Sequence, residues 1–331
     1  MNIAGAIKVA AYKVKCNLIS TLTTCLLLLI PVATYAGCNT LDTPPIGSRV
    51  VALDHVSLEI LHRLGIEVAG VPSVDFEKVD AKYSDRSKYI DAGTPMEPNY
   101  TEITLLNPSE VIISDATEKA FGNIKSSFEA LNIPVKFYDY NGIPELKHSI
   151  VQLGDYFNQK AKAAEIVAEL ELNEKETLGK VASLEHKPRV LILFGAPFGT
   201  PEQSISIAGS GFYAGSIVSY SGAINVIDGL YQSKQVLIKP DNIWSSILDL
   251  NPDYIFCTAH GRVDEVWNMY DSCWDSSPWN LLNAVRNEDI YYLPASVAGI
   301  IAEFDYVSVM QYVLDIFDGK VSPYNGGYKN G

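Results

Sequence analysis

The sequence predicts an α/β protein of two similar lobes joined by a single long helix, and three observations carry that expectation. Short β-branched runs alternate with helix-period stretches on both sides of the chain's middle. Between them, from Glu145 to about Val181, no proline occurs, and only Gly154 and Gly179 interrupt an apolar period near 3.6. Leu106-Asn107-Pro108-Ser109-Glu110-Val111-Ile112 is also echoed by Leu250-Asn251-Pro252-Asp253-Tyr254-Ile255-Phe256: in each half a helix stops at Asn-Pro and a buried strand follows. Alternation with Gly/Pro punctuation reads as parallel sheet layers. With 331 residues, 47% apolar and 19% charged, the chain has room for that core. The same composition excludes collagen-like, disordered and coiled-coil classes.

The chain opens on a leader. Lys8, Lys13 and Lys15 are the only charges before Asp42, and they precede the apolar runs Leu18-Ile19 and Cys25 to Ile30. Small residues follow at Ala33, Thr34, Ala36 and Gly37. A basic region, a short apolar core and a small-residue cleavage site predict a secretory signal over 1–37. Its uninterrupted apolar part falls short of the roughly 20 residues a spanning helix needs. Ala36-Gly37-Cys38 resembles a bacterial lipobox, although Tyr35 and Thr34 depart from it. Cys38 is therefore expected to carry lipid, with cleavage after Ala36 as the rival. The polar stretch 38–48, with Pro44-Pro45, reads as a tether, so a lipid anchor is the expected membrane contact. Cys16 and Cys25 leave with the leader. Cys257 and Cys273 remain, too few for a disulfide framework, with a bridge between them left open.

The lobes follow in order. The first, 49–142, reads as strand Arg49 to Leu53, helix His55 to Leu64, strand Ile66 to Val71 and short helix Thr101 to Leu106. Strand Val111 to Ile113, helix Phe121 to Leu131 and strand Val135 to Tyr138 complete it. The linking segment, 143–183, reads as one long helix or two in series. The second lobe, 184–320, has strands Arg189 to Leu193 and Ser204 to Ile207, helix Phe212 to Tyr220, strands Tyr254 to Cys257 and Ile290 to Leu293, and helix Glu303 to Phe317. A tail, 321–331, ends the chain. Each lobe is Rossmann-like in pattern.

Few residues bear chemistry. Met96, one of four methionines, sits between Pro95 and Pro98 and so on an extended turn. His260 follows a buried strand and precedes Gly261, at the carboxyl end where open α/β sheets bind ligands. Gly209-Ser210-Gly211-Phe212-Tyr213-Ala214-Gly215 opens a helix. It reads G-x-G-x-x-x-G, one residue off the dinucleotide fingerprint, with no acidic residue convincingly placed about 20 positions on. His55, His62, His148 and His186 are scattered, against a zinc or manganese site. No Ser-His-Asp or HExxH pattern supports an enzyme. The formal net charge of -14 argues against nucleic acid and anionic lipid as partners. A monomer is expected.

Almost the whole chain after the leader resembles the iron-siderophore, cobalamin and haem class of binding proteins that serve ABC importers. Within it, the nearest likeness is to the haem-binding lipoproteins of Gram-positive iron-regulated surface determinant systems. Gly93-Thr94-Pro95-Met96-Glu97-Pro98 is similar to their Gly-x-Pro-Met-x-Pro loop, and Thr258-Ala259-His260-Gly261 followed by Asp264-Glu265-Val266 to their Ala-His-Gly stretch. The resemblance implies two lobes bridged by a rigid helix and haem as cargo. By position, Met96 and His260 become the two axial ligands of its iron. It also implies that the loop of Gly209 and Gly211 lines the cleft. Beside that loop, Tyr213 reads as a stacking face for a macrocycle or as a core aromatic, and Arg262 as a partner for a propionate or as a solvated charge. A permease and an ATPase are the implied partners. One departure stands out: relatives carry a permease-docking glutamate seven residues before the proline of each repeat, and Thr101 and Ser245 occupy those places, with Glu102, Asp241 and Asp249 nearby. A ferric siderophore or cobalamin is the alternative cargo, and an exported α/β oxidoreductase the weaker alternative.

Overall fold

Burial on both faces decides where the strands fall. A computed structural model of the chain describes residues 49–73, 80–196, 205–231, 237–259, 263–293 and 304–323. The leader, Cys38, the tether, His260, Arg262 and most of the tail lie outside them. In the first lobe β1 (Val50–Ala52), β2 (Val68–Val71), β3 (Ile90–Asp91), β4 (Glu110–Ser114) and β5 (Val135–Tyr138) form one sheet in the order β3-β2-β1-β4-β5, every pair parallel. β1 and β4 are buried throughout, as parallel strands covered on both faces must be. The order reverses between β1 and β4, which opens a crevice at their carboxyl ends.

The second sheet contains β6 (Arg189–Gly195), β7 (Ile205–Ala208), β8 (Ile224–Asn225), β9 (Leu237–Ile238), β10 (Tyr254–Ala259) and β11 (Ile290–Tyr292). Its order is β11-β10-β6-β7-β9, with β8 beside the first two residues of β6. Here the parallel expectation is corrected in part: β7 runs antiparallel to β6, and β9 antiparallel to β7. The link from Gly195 to Ile205 is shorter than the dozen or more residues a parallel crossover requires.

The repeated Asn-Pro segments occupy equivalent places. Helix Tyr100–Leu106 closes on Asn107 at φ 51°, and helix Trp244–Leu250 on Asn251 at φ 42°, each a left-handed cap. Then Ser109 N donates to Arg49 O at 2.9 Å, and Asp253 N donates to Arg189 O at 2.8 Å. The strands that follow, β4 and β10, each lie next to the first strand of their sheet.

Between the sheets, 143–183 takes the second of the two readings the sequence left open. Helix Ile143–Tyr156 stops at Asn158 (φ 56°), and helix Lys160–Ala182 folds back along it. At their crossing a Cβ on Gly154 would lie 2.3 Å from Ala163 Cβ, so only glycine lets the backbones approach. The 23-residue second helix is about 34 Å long at 1.5 Å per residue. It packs against helix His55–Leu64 of the first lobe and helix Tyr306–Phe317 of the second.

One core is shared by both lobes. Val50, Ala52 and Ile112 face it from the first sheet, Val190, Ile192 and Phe256 from the second, and Leu146, Ile150, Ile217 and Met310 fill the helical layer between. Val51, Leu53, Val111 and Ile113 point the other way into a second core, and Leu191, Leu193, Ile255 and Cys257 into a third. Cys257 and Cys273 are both thiols.

A buried charged knot fastens that layer. Glu174, on the long helix, takes Lys147 Nζ at 2.6 Å, Tyr306 OH at 2.6 Å and Tyr220 OH at 3.2 Å. Those groups come from four helices, two of the linking segment and two of the second lobe. Burial and the adjacent Glu174 carboxylate push the Tyr220 phenol up to about 12. Arg63 of the first lobe also stacks its guanidinium 4.2 Å from the Phe304 ring of the second. Lobes tied this way move little, so X-ray scattering of ligand-free and loaded protein is expected to give radii of gyration within about 1 Å. A drop of several ångströms on loading contradicts it.

Candidate ligand-binding site

The carboxyl ends of the first sheet carry a polar floor. Asp54, just past β1, caps helix His55–Leu64 through Ser57 N at 2.7 Å, and also takes Ser57 Oγ at 2.8 Å and Ser114 N at 2.7 Å. Burial raises its carboxyl above the usual range, and these hydrogen bonds pull against that. The three donors bind the ends of β1 and β4 together at the crevice.

Met96 lies on a pinned turn that follows the edge strand β3. Gly93 and Pro98 pair as an antiparallel bridge, Thr94 N donates to Glu97 O at 3.1 Å, and Glu97 N donates to Thr94 Oγ1 at 3.0 Å. The reversal requires Gly93: its φ is +83°, and a Cβ there would sit 2.4 Å from Glu97 O. Met96 is left at the tip, 47% exposed. Asp91 anchors the first foot, where Oδ1 accepts Gly93 N at 3.0 Å and the Ser73 hydroxyl. Arg86 lies 3.8 Å from Oδ2. Burial works against the charge, yet these partners hold the Asp91 carboxyl below its usual range. Sequence reasoning missed Asp91 and Ser73. The Asp-x-Gly spacing of Asp91 and Gly93, an Asx-turn pattern, was the available signal.

In the second sheet β10 ends at Ala259, opposite Gly195, so position 260 leaves the carboxyl end of a strand paired on both sides. That end is fixed by Thr258 Oγ1 donating to Leu193 O at 3.1 Å and Tyr270 OH donating to Thr258 O at 3.1 Å. His260 and Arg262 themselves fall outside the described residues.

The glycine loop departs from expectation. Gly209 to Phe212 forms a turn in which Phe212 N donates to Gly209 O at 3.1 Å and Ser210 N to Asp228 Oδ1 at 3.0 Å. A Cβ on Gly215 would meet Gly209 O at 2.3 Å, so the third glycine serves close packing of helix on loop. Tyr213, expected as a stacking face, is corrected: its ring is 1% exposed and belongs to the shared core. It opens helix Tyr213–Tyr220, and that helix packs on Ile143–Tyr156, turning the ring inward. Gly209 is buried with its carbonyl taken by Phe212 N, and Gly211 is half-buried. Since β7 is antiparallel to its neighbours, the loop lacks the parallel strand-to-helix setting that a dinucleotide fingerprint needs.

The remaining histidines have other company. His62 Nδ1 lies 3.1 Å from Tyr83 OH, and Nε2 lies 3.9 Å from Asp80. His148 and His186 are exposed, on their own. Among the described residues no cluster of three or more His, Cys, Asp or Glu side chains could hold a bare metal ion.

The periplasmic binding protein family model matches residues 50–297. The high-affinity heme uptake system protein IsdE of Staphylococcus aureus (strain Newman) is 30% identical over 273 residues, covering 81% of this chain and 87% of its own. The crystal structure of S. aureus IsdE complexed with heme superposes with a TM-score of 0.70 at 29% identity, over 81% of this chain and 98% of that one. An ABC transporter substrate-binding protein from Listeria monocytogenes EGD-e gives 0.71 at 26% identity, over the same shares.

Proposed function

Because the chain belongs to the periplasmic binding protein family, as a substrate-binding protein of an ABC importer, we propose that its cargo is haem, held between Met96 of the first lobe and His260 of the second. The observation that carries this reading is the exposed thioether of Met96, raised on a turn whose backbone is fixed by glycine, bridge and prolines. A half-exposed methionine gains nothing there from the core. A soft thioether on a rigid mount suits a soft acceptor on the crevice side, and haem iron accepts thioether with imidazole. IsdE, similar over most of its length, is a haem uptake protein by name.

Capture in this reading needs no reaction. The flat macrocycle enters the crevice, the imidazole of His260 supplies the stronger bond, and Met96 closes the opposite face. Backbone amides of Gly209 and Gly211 and the Arg262 guanidinium answer the propionates. The loaded protein then presents its cargo to the permease and ATPase. Glu102 and Asp249, exposed on the two equivalent helices, and Asp241, exposed just before the second of them, are the nearby acids that could serve that docking. On this reading Cys38 carries the lipid that keeps the protein at the outer face of the cell membrane. Mass spectrometry of the mature N-terminus should find lipidated Cys38, and an unmodified Gly37 terminus in the medium contradicts that.

Cargo choice is tested by titrating ligand-free protein with haemin, a ferric siderophore and cobalamin in parallel. Haemin is expected to bind at about one per chain, with the others at least tenfold weaker. Saturation by the siderophore without haemin binding overturns the reading.

A further inference from the structure

We propose that Asp91 is a positioning residue for Met96, acting through the first foot of the Gly93–Pro98 turn; this rests on Met96 being a ligand of the cargo. The turn is stiff within itself, so the place of the sulfur depends on how its two feet are held. The second foot is fixed mainly by backbone, with Asn99 N donating to Ala92 O at 2.8 Å before Asn99 caps helix Tyr100–Leu106. At the first foot a side chain is the organiser. Asp91 Oδ1 gathers the Gly93 amide and the Ser73 hydroxyl, while Ser73 N donates to Gly93 O at 2.7 Å. One carboxylate thus joins the ends of β2 and β3 to the glycine from which the chain reverses. Arg86 neutralises its other oxygen at 3.8 Å.

Asp91 is 45% exposed, and exposed pairs of this kind add little to stability. Its effect is geometric. A thioether bonds ferric iron weakly, so the fraction of complex with sulfur on iron follows how often the sulfur is in place. Releasing Gly93 from Asp91 lets the turn pivot and lowers that fraction, while imidazole still holds the haem.

The test compares Asp91→Ala, Asp91→Asn, Met96→Ala and the double variant Asp91→Ala/Met96→Ala. Two readouts are taken. In ligand-free protein, amide exchange of Gly93 and the methyl NMR line of Met96 report the turn; in the haem complex, absorption and magnetic circular dichroism report sulfur ligation. Asp91→Ala is expected to speed Gly93 exchange at least tenfold, narrow the Met96 line and cut the sulfur-ligated fraction severalfold. Its haem affinity should fall no further than that of Met96→Ala. Asp91→Asn keeps an acceptor oxygen and should behave as wild type. The double variant should match Met96→Ala. Unchanged Gly93 exchange in Asp91→Ala overturns the proposal, as do additive losses in the double variant, which mark a structural role elsewhere. A wild-type haem complex without sulfur ligation overturns the reading of Met96 instead, and the ligand-free measurements then still decide whether Asp91 holds the turn.

Discussion

Replacing His260 with alanine is expected to weaken haem binding on the order of 100-fold or more, about 2.8 kcal/mol at 1.4 kcal/mol per decade. Even outer partners of a ligand are worth 10–100-fold, and imidazole is the stronger of the two donors to ferric iron. His62 is engaged with Tyr83, and His148 lies exposed on helix Ile143–Tyr156. Fluorescence-quenching titrations of wild type, His260→Ala and His62→Ala check this. Loss of binding in His62→Ala with His260→Ala unaffected would move the site elsewhere.

The second large effect concerns the knot between the linking helices and the second lobe. Glu174→Ala strands the Lys147 ammonium, whose side chain is only 14% exposed, and takes the acceptor from Tyr306 and Tyr220. Removing one partner of a buried ion pair costs about 3–5 kcal/mol. Urea unfolding should register that as a lower midpoint. Replacing both charges, Glu174→Leu with Lys147→Met, should recover the part of the loss that comes from the stranded ammonium, while the Tyr306 and Tyr220 hydroxyls still lack their carboxylate acceptor. A Glu174→Ala cost below about 1 kcal/mol would mean that water reaches the knot and that the linking helices are not fastened to the second lobe there.

Much of the architecture is legible in the sequence because its signals are local. Strands β1, β4, β5, β6 and β10 read as β-branched or apolar runs, and Asn107 and Asn251 announce two helix ends and an internal repeat. The turn of the linking segment is less visible. Asn158 is its stop signal, but no glycine or proline accompanies it, and Gly154 is needed for contact with Ala163 rather than to end a helix. Strand direction in the second sheet depends on how far the chain travels between β6 and β7, which residue type does not encode. Tyr213 shows a related limit: a tyrosine after a glycine loop can face cleft or core, and only the packing of Tyr213–Tyr220 on Ile143–Tyr156 turns it inward. Asp91 and Glu174 act through partners distant in sequence, Ser73 and Tyr306 among them, so periodicity gives no hint of either.

The most direct test of the account is the absorption and near-infrared magnetic circular dichroism spectrum of the purified wild-type protein loaded with ferric haem. Met96 and His260 as axial ligands predict a six-coordinate complex with one nitrogen and one thioether donor, its sulfur signature absent from Met96→Ala. A wild-type spectrum of two nitrogen donors, of a tyrosinate donor, or of a five-coordinate iron unchanged by Met96→Ala would contradict it.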